Sequence, residues 1–230
     1  MLTSNDTRPI MIELKESTQA SHDSTENGDF NKELVNGRLP VERYVESLAQ
    51  HYLIHRALER HLRAQLPHSP AIAAVVRDYQ FQEPYLLNDL AYFGRQLDTI
   101  QPLPATADFI GQIDALAAEC PVALLGMHYV FEGSNNGSKF ISRAIRKAYN
   151  LTELNGTHYL DPYGDHQREY WQAFKTDMNA QDLTDDERRL TIQAATDTFT
   201  AVMRLHRELH GEVKPDVAKA AKAGGCPFHQ

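Results

Sequence analysis

The chain has 230 residues and a net charge of −8, which sets it apart from nucleic-acid binders with their basic footprint. Its 42% hydrophobic and 23% charged residues are those of a globular protein able to bury a sizeable core. No apolar run approaches the roughly 18–20 residues that cross a bilayer. The start, Met1-Leu-Thr-Ser-Asn-Asp-Thr-Arg8, lacks the basic-then-apolar form of a secretion signal. Two cysteines, Cys120 and Cys226, build no disulfide framework, so a reducing cytoplasm is the expected home, with no membrane association.

Residues 1–10 are polar, carry Pro9 and read as a flexible arm ahead of a domain over 11–212. From Met11 a helical period places Ile12, Lys15, Gln19, His22 and Glu26 on one face, until Asn27-Gly28 ends it. A short helix, Phe30 to Val35, closes at Asn36-Gly37. Pro40 suits the first position of a long helix whose apolar stripe runs from Val41 through Leu62 toward Pro67. Ser69-Pro70 opens another through Ile72, Val76 and Tyr79, and Pro84 opens the next, through Leu97. Gln101-Pro-Leu-Pro104 is a connector to a helix marked by Phe109, Ile113 and Leu116. Pro121 starts a segment that continues to about Tyr149. Residues 151–163 read as a loop, followed by a helical face of Tyr170, Trp171, Phe174 and Met178. Thr184-Asp-Asp-Glu187 is a capping box opening a last long helix, and the tail 213–230 should be mobile. Sustained alternation and internal repeats are both missing. The chain reads as one all-α domain.

Within the long segment, His128-Tyr-Val-Phe-Glu-Gly-Ser-Asn-Asn-Gly-Ser-Lys-Phe-Ile141 holds Tyr129, Gly133, Gly137 and Phe140 near one helical face. Each glycine costs about 1 kcal/mol relative to alanine, and Ser134, Asn135 and Asn136 also prefer caps to helix interiors. A helix accepting that loss has something against its bare backbone. A flat ligand and a close helix–helix crossing both fit the spacing.

Of eleven histidines, His51/His55 and His206/His210 have i,i+4 spacing but lack the glutamate of a metalloprotease pair, and structural or solvated roles account for them. The chain holds no Glu-x-x-His, which argues against a carboxylate-bridged di-iron bundle. His22 shares its face with Lys15 and Glu26. A heme ligand needs a hydrogen bond to orient the imidazole, which Glu26 could supply, and Lys15 could meet a propionate. A solvated His–Glu pair explains the same spacing. Cys120 precedes Pro121 at a helix start. Cys226-Pro227 is similar to heme-regulatory motifs, in which the Cys ligates a second heme.

Two separated segments resemble one family. Leu14-Lys-Glu-Ser-Thr-Gln-Ala-Ser-His22 is similar to the proximal helix of heme oxygenases, and Glu132-Gly-Ser-Asn-Asn-Gly137 to their distal helix in its bacterial iron-acquisition form. The resemblance implies a heme-oxygenase-like helical bundle with heme between proximal and distal helices. It makes His22 the axial iron ligand, backed by Glu26. It gives Gly133, Ser134, Asn135 and Gly137 to the oxygen side, with Ser138 at the edge. Lys15, Tyr129 and Lys175 would hold the propionates. The implied reaction consumes heme, O2 and electrons from an external ferredoxin- or flavin-type reductase, and yields biliverdin as its α isomer, CO and ferrous iron. Ser134 stands where animal-type members carry an aspartate, so it brings no charge to the distal water. The rival readings are a heme sensor or carrier, favoured by Cys226, and a thiaminase-like hydrolase using Cys120.

Overall fold

A computed structural model describes residues 8–211, except the side chain of Glu26; the start of the N-terminal arm and the C-terminal tail with Cys226 lie outside the described residues. Among these residues the chain is all-helical, with nine α-helices joined by short turns of 3-10 helix. They are α1 (Ile10–Glu26), α2 (Asp29–Val35), α3 (Val41–Gln65), α4 (Pro70–Val75) and α5 (Glu83–Tyr92). After them come α6 (Pro104–Glu119), α7 (Leu124–Ala148), α8 (Gln167–Asn179) and α9 (Asp185–His210). None of the described helices is long and apolar enough to cross a membrane.

α9 is the spine, and α1 and α7 both pack along it. It starts at the expected capping box: the Thr184 hydroxyl accepts from the Glu187 N–H while Glu187 accepts from the Thr184 N–H. It ends on Gly211 at φ +87°, a left-handed cap that glycine adopts without strain. On α1 the buried residues are Ile10, Met11, Leu14 and Thr18. Ile12, Lys15 and Gln19 lie on the other, exposed side, and His22 is exposed at its edge, one turn beyond Thr18.

Three boundaries differ from expectation. Pro40 caps α3 from outside, and Val41 is its first residue. The helix after Ser69 stops at Val75, because Val76 turns extended at ψ 131° and the Gln80 side chain accepts from the Arg77 N–H at 2.8 Å, so that Tyr79 sits in a separate 3-10 turn. α5 ends at Tyr92, ahead of Gly94 at φ +68°, rather than running to Leu97.

The 150–166 connection is an ordered element. Fully buried Asp89 accepts from the His158 N–H at 2.8 Å, the Tyr159 N–H at 2.9 Å and the His158 ring at 3.0 Å. Tyr44 donates to the Gly156 carbonyl at 2.8 Å. Anchored in this way, the connection delivers Tyr159 and Tyr163 to the interior behind α7.

Candidate functional site

α1 and α7 lean on α9 from two sides, and both reach α8. They meet where Thr18 of α1 touches the Tyr129 hydroxyl of α7. Thr18 lies one turn before His22, and Tyr129 one turn before Gly133, each on nearly the same face as its successor. The fold thereby places the imidazole and the glycine-bearing face of α7 on helices joined at one point.

The His22 side chain is half-exposed, at 49%. Its ring stands edge-on to Phe199 of α9, with centroids 5.9 Å apart. Its Nδ1 lies 3.7 Å from Asp23 Oδ1, too far for a hydrogen bond, and that carboxylate already accepts from Gln19 at 2.8 Å. The side chain of Glu26, expected behind the ring, lies outside the described residues. Lys15 is exposed and Lys175 partly buried, and neither side chain has an ion pair or hydrogen bond among the described residues. Lys175 lies one turn beyond Trp171 on α8 and shares its face.

The two glycines of α7 differ. A β-carbon on Gly133 would rest 3.4 Å from the Trp171 ring, an ordinary contact. Trp171 lies 6.0 Å from the Tyr129 ring and stacks on Phe174 at 5.5 Å. A β-carbon on Gly137 would meet nothing within 4 Å, and Phe140, three residues on and on the same face, is 70% exposed. The bare face of α7 is therefore open at Gly137 and walled by an indole at Gly133. The close helix crossing occurs instead at Gly126, where α7 meets α9.

α7 keeps an unbroken α-helical course through the motif. Ser134 donates to the Phe131 carbonyl at 2.7 Å, Ser138 to the Ser134 carbonyl at 2.9 Å, and Asn136 to the Gly133 carbonyl at 2.9 Å. Residues that disfavour helix interiors are accommodated by bonding to their own turn. Asn135 differs from these neighbours. It is 3% exposed, two positions from each glycine, and points into the protein with its amide nitrogen unpartnered, because alternate residues of a helix face opposite ways.

Behind α7 runs a polar network that spacing could not disclose, because its members lie up to about a hundred positions apart along the chain. Tyr163 donates to Glu132 Oε1 at 2.7 Å and accepts from Gln82 at 2.9 Å. Glu59 accepts from the N–H groups of Gln82 (2.6 Å) and Glu83 (3.1 Å) and pairs with Arg63 at 3.2 Å. His55 bridges Glu59 at 3.3 Å and the Tyr159 hydroxyl at 3.1 Å. His128 meets Gln80 Oε1 at 3.1 Å. Burial, with a smaller contribution from Glu59, raises Glu132 to about 8. Burial lowers His128 and His206 to about 3 and His51 to about 4. The i,i+4 histidines are thus hydrogen-bonding and packing groups: His51 meets the Ser47 carbonyl, and His206 stacks on Phe30.

This donor set fits heme. It offers an imidazole, two uncommitted cations and a phenol for propionates, a turn of helix without a side chain, and an exposed aromatic for the apolar macrocycle. Cys120 is partly buried and packed against the core.

The family model for heme oxygenase matches residues 8–208. A heme oxygenase of Pyropia yezoensis is 26% identical over 202 residues, which is 86% of this chain and 84% of that protein. The fold is similar to that of heme oxygenase-1 from Synechocystis in complex with heme, at TM-score 0.82 and 20% identity, covering 94% of this chain and 96% of that one. It is also similar to that of a Leptospira interrogans heme oxygenase, at TM-score 0.81 and 20% identity, covering 87% and 100%.

Proposed function

The chain belongs to the heme oxygenase family, and from that premise we propose which of its residues hold heme and what each contributes. The activity is oxidative cleavage of heme to biliverdin, CO and ferrous iron with O2 and reducing equivalents. Heme is substrate and cofactor together, and its iron supplies the oxygen chemistry.

His22 is the axial iron ligand, held edge-on by Phe199. Lys15, Tyr129 and Lys175 take the propionates, and a lysine without a carboxylate partner is poised for that role. Trp171 stands against Gly133, and the open turn at Gly137 would let backbone approach the ligand. The Ser134 hydroxyl spends its proton on Phe131, so toward a distal water it offers only a lone pair. Glu26 backs His22 in this reading. Lys15 and Tyr129 would hold heme by its propionates in the orientation that yields α-biliverdin. Electrons come from a ferredoxin- or flavin-type reductase, and a net charge of −8 suits a donor with a basic face. The Gly-Ser-Asn form of α7 favours the bacterial branch, and two cysteines favour a reducing cytoplasm.

The observation that carries the reading is the Thr18–Tyr129 contact, which brings the His22 helix and the glycine helix together. Titrating the protein with hemin and then adding ascorbate tests it. A Soret band forms and then bleaches as biliverdin absorbance grows. A band that persists makes the protein a heme carrier, and no band at all refutes the site.

A further inference from the structure

The side chain immediately before Gly133 is a glutamate, 1% exposed, inside the network behind α7. Its surroundings hold one carboxylate too many. Glu59 is well supplied with N–H donors, two backbone amides and Arg63, and the His55 ring lies 3.3 Å away. Arg63 is shared between Glu59 and Glu83, and no cation is among the groups that act on Glu132. Those facing it are Glu59 from α3, Gln82 and Tyr79 from the connector, Tyr85 from α5 and Tyr163 from the loop before α8, with His128 one turn back on α7. The Tyr163 and Gln82 hydrogen bonds to this carboxyl both favour its anion, against the stronger effect of burial, and two further facts point to where a proton would sit. Tyr163 donates to one Glu132 oxygen. The Gln82 amide lies against the same carboxyl, has both its N–H protons committed to Gln80 and Tyr163, and leaves its buried Oε1 without a donor. A buried acceptor without a partner costs about 1–3 kcal/mol.

We propose that Glu132 is a positioning residue that works as a neutral carboxylic acid, its O–H donating to Gln82 Oε1 and its other oxygen accepting from Tyr163, so that one protonated side chain pins the Gly133 turn of α7. The inference rests on the reading of that turn as one wall of the heme site. Ionisation removes the donor, sets the carboxylate against Gln82 Oε1 and places a second charge beside Glu59. The joint then loosens within one residue of the glycine.

Heme-free protein gives the first readout. Infrared spectroscopy shows a carboxylic-acid C=O stretch at neutral pH that disappears as pH rises through about 8, is missing in Glu132→Gln, and persists to higher pH in Tyr163→Phe, which removes a bond favouring the anion. With hemin bound, Glu132→Ala loses turnover about ten-fold at neutral pH while Glu132→Gln restores most of it, as expected for a displaced wall. The alkaline fall in rate seen in the parent near pH 8 is absent in Glu132→Gln. No titrating acid band, or a band surviving in Glu132→Gln, overturns the protonation. A band with identical pH–rate profiles in parent and Glu132→Gln overturns the positioning role and leaves the heme site standing. Failure of the parent to bind hemin overturns the site and the positioning role with it, whatever the infrared result.

Discussion

A β-carbon on Gly126 would lie 1.9 Å from the carbonyl oxygen of Thr191, so α7 and α9 cross backbone to backbone at this point. Backbone cannot move aside as a flexible side chain does. Gly126→Ala therefore loses about 3 kcal/mol, the upper end for overpacking, seen as a lower midpoint in denaturant. Gly137→Ala, with open space before it, gains up to about 1 kcal/mol from helix propensity. Gly137→Leu remains folded but binds hemin about ten-fold more weakly, measured by Soret titration.

His22→Ala abolishes turnover and changes the axial field of the bound iron, while the pocket walls retain part of the hemin affinity. Resonance Raman spectra lose the iron–histidine stretch, and added imidazole restores it. Parent-rate turnover in this variant assigns the ligand elsewhere.

The propionate anchors decide which meso carbon is attacked. Chromatography of the parent's product gives the α isomer. Lys15→Met and Tyr129→Phe together release the edge, and β or δ isomers appear at the expense of α. A parent that makes mainly β or δ refutes this anchoring.

Acid destabilises the fold through its buried imidazoles. In the unfolded chain each titrates near 6.5, whereas in the fold His51 stays neutral to about 4 and His128 and His206 to about 3. Across that window the unfolded state binds more protons, so stability falls as pH falls, by about 1.4 kcal/mol per pH unit for fully buried His128. Partly exposed His51 and His206 contribute less. Glu132 acts in the opposite sense, its contribution waning as pH rises from 4.5 to about 8. Thermal scans show the midpoint dropping below pH 6, and replacing His206 by Phe, still stacked on Phe30, flattens the drop.

The helices were legible because each carries its own punctuation. Thr184 with Glu187 marked the start of α9 to the residue, and the 3.6 period of α1 separated Leu14 from His22. The end of α4 was hidden because its stop signal is the Gln80 side chain reaching back to Arg77, a bond that apolar spacing does not encode. In the site, His22, Tyr129 and Gly137 came from local pattern plus family likeness. The burial of Asn135 was not legible, because a motif read as a string ignores that its alternate members face opposite ways. Gly126, Trp171 and Glu132 stayed hidden for a shared reason. What makes each matter is a residue tens of positions away: Thr191, Gly133 and Tyr163 respectively.

In the proposed site Gly137 would give a ligand nothing but main chain, and main chain is the same in every sequence that folds this way. A surface of that kind cannot be eroded by exchanging one side chain for another; only the arrival of a methyl group at that spot fills it. The similar structures keep this architecture at TM-scores above 0.8 while sharing about one residue in five.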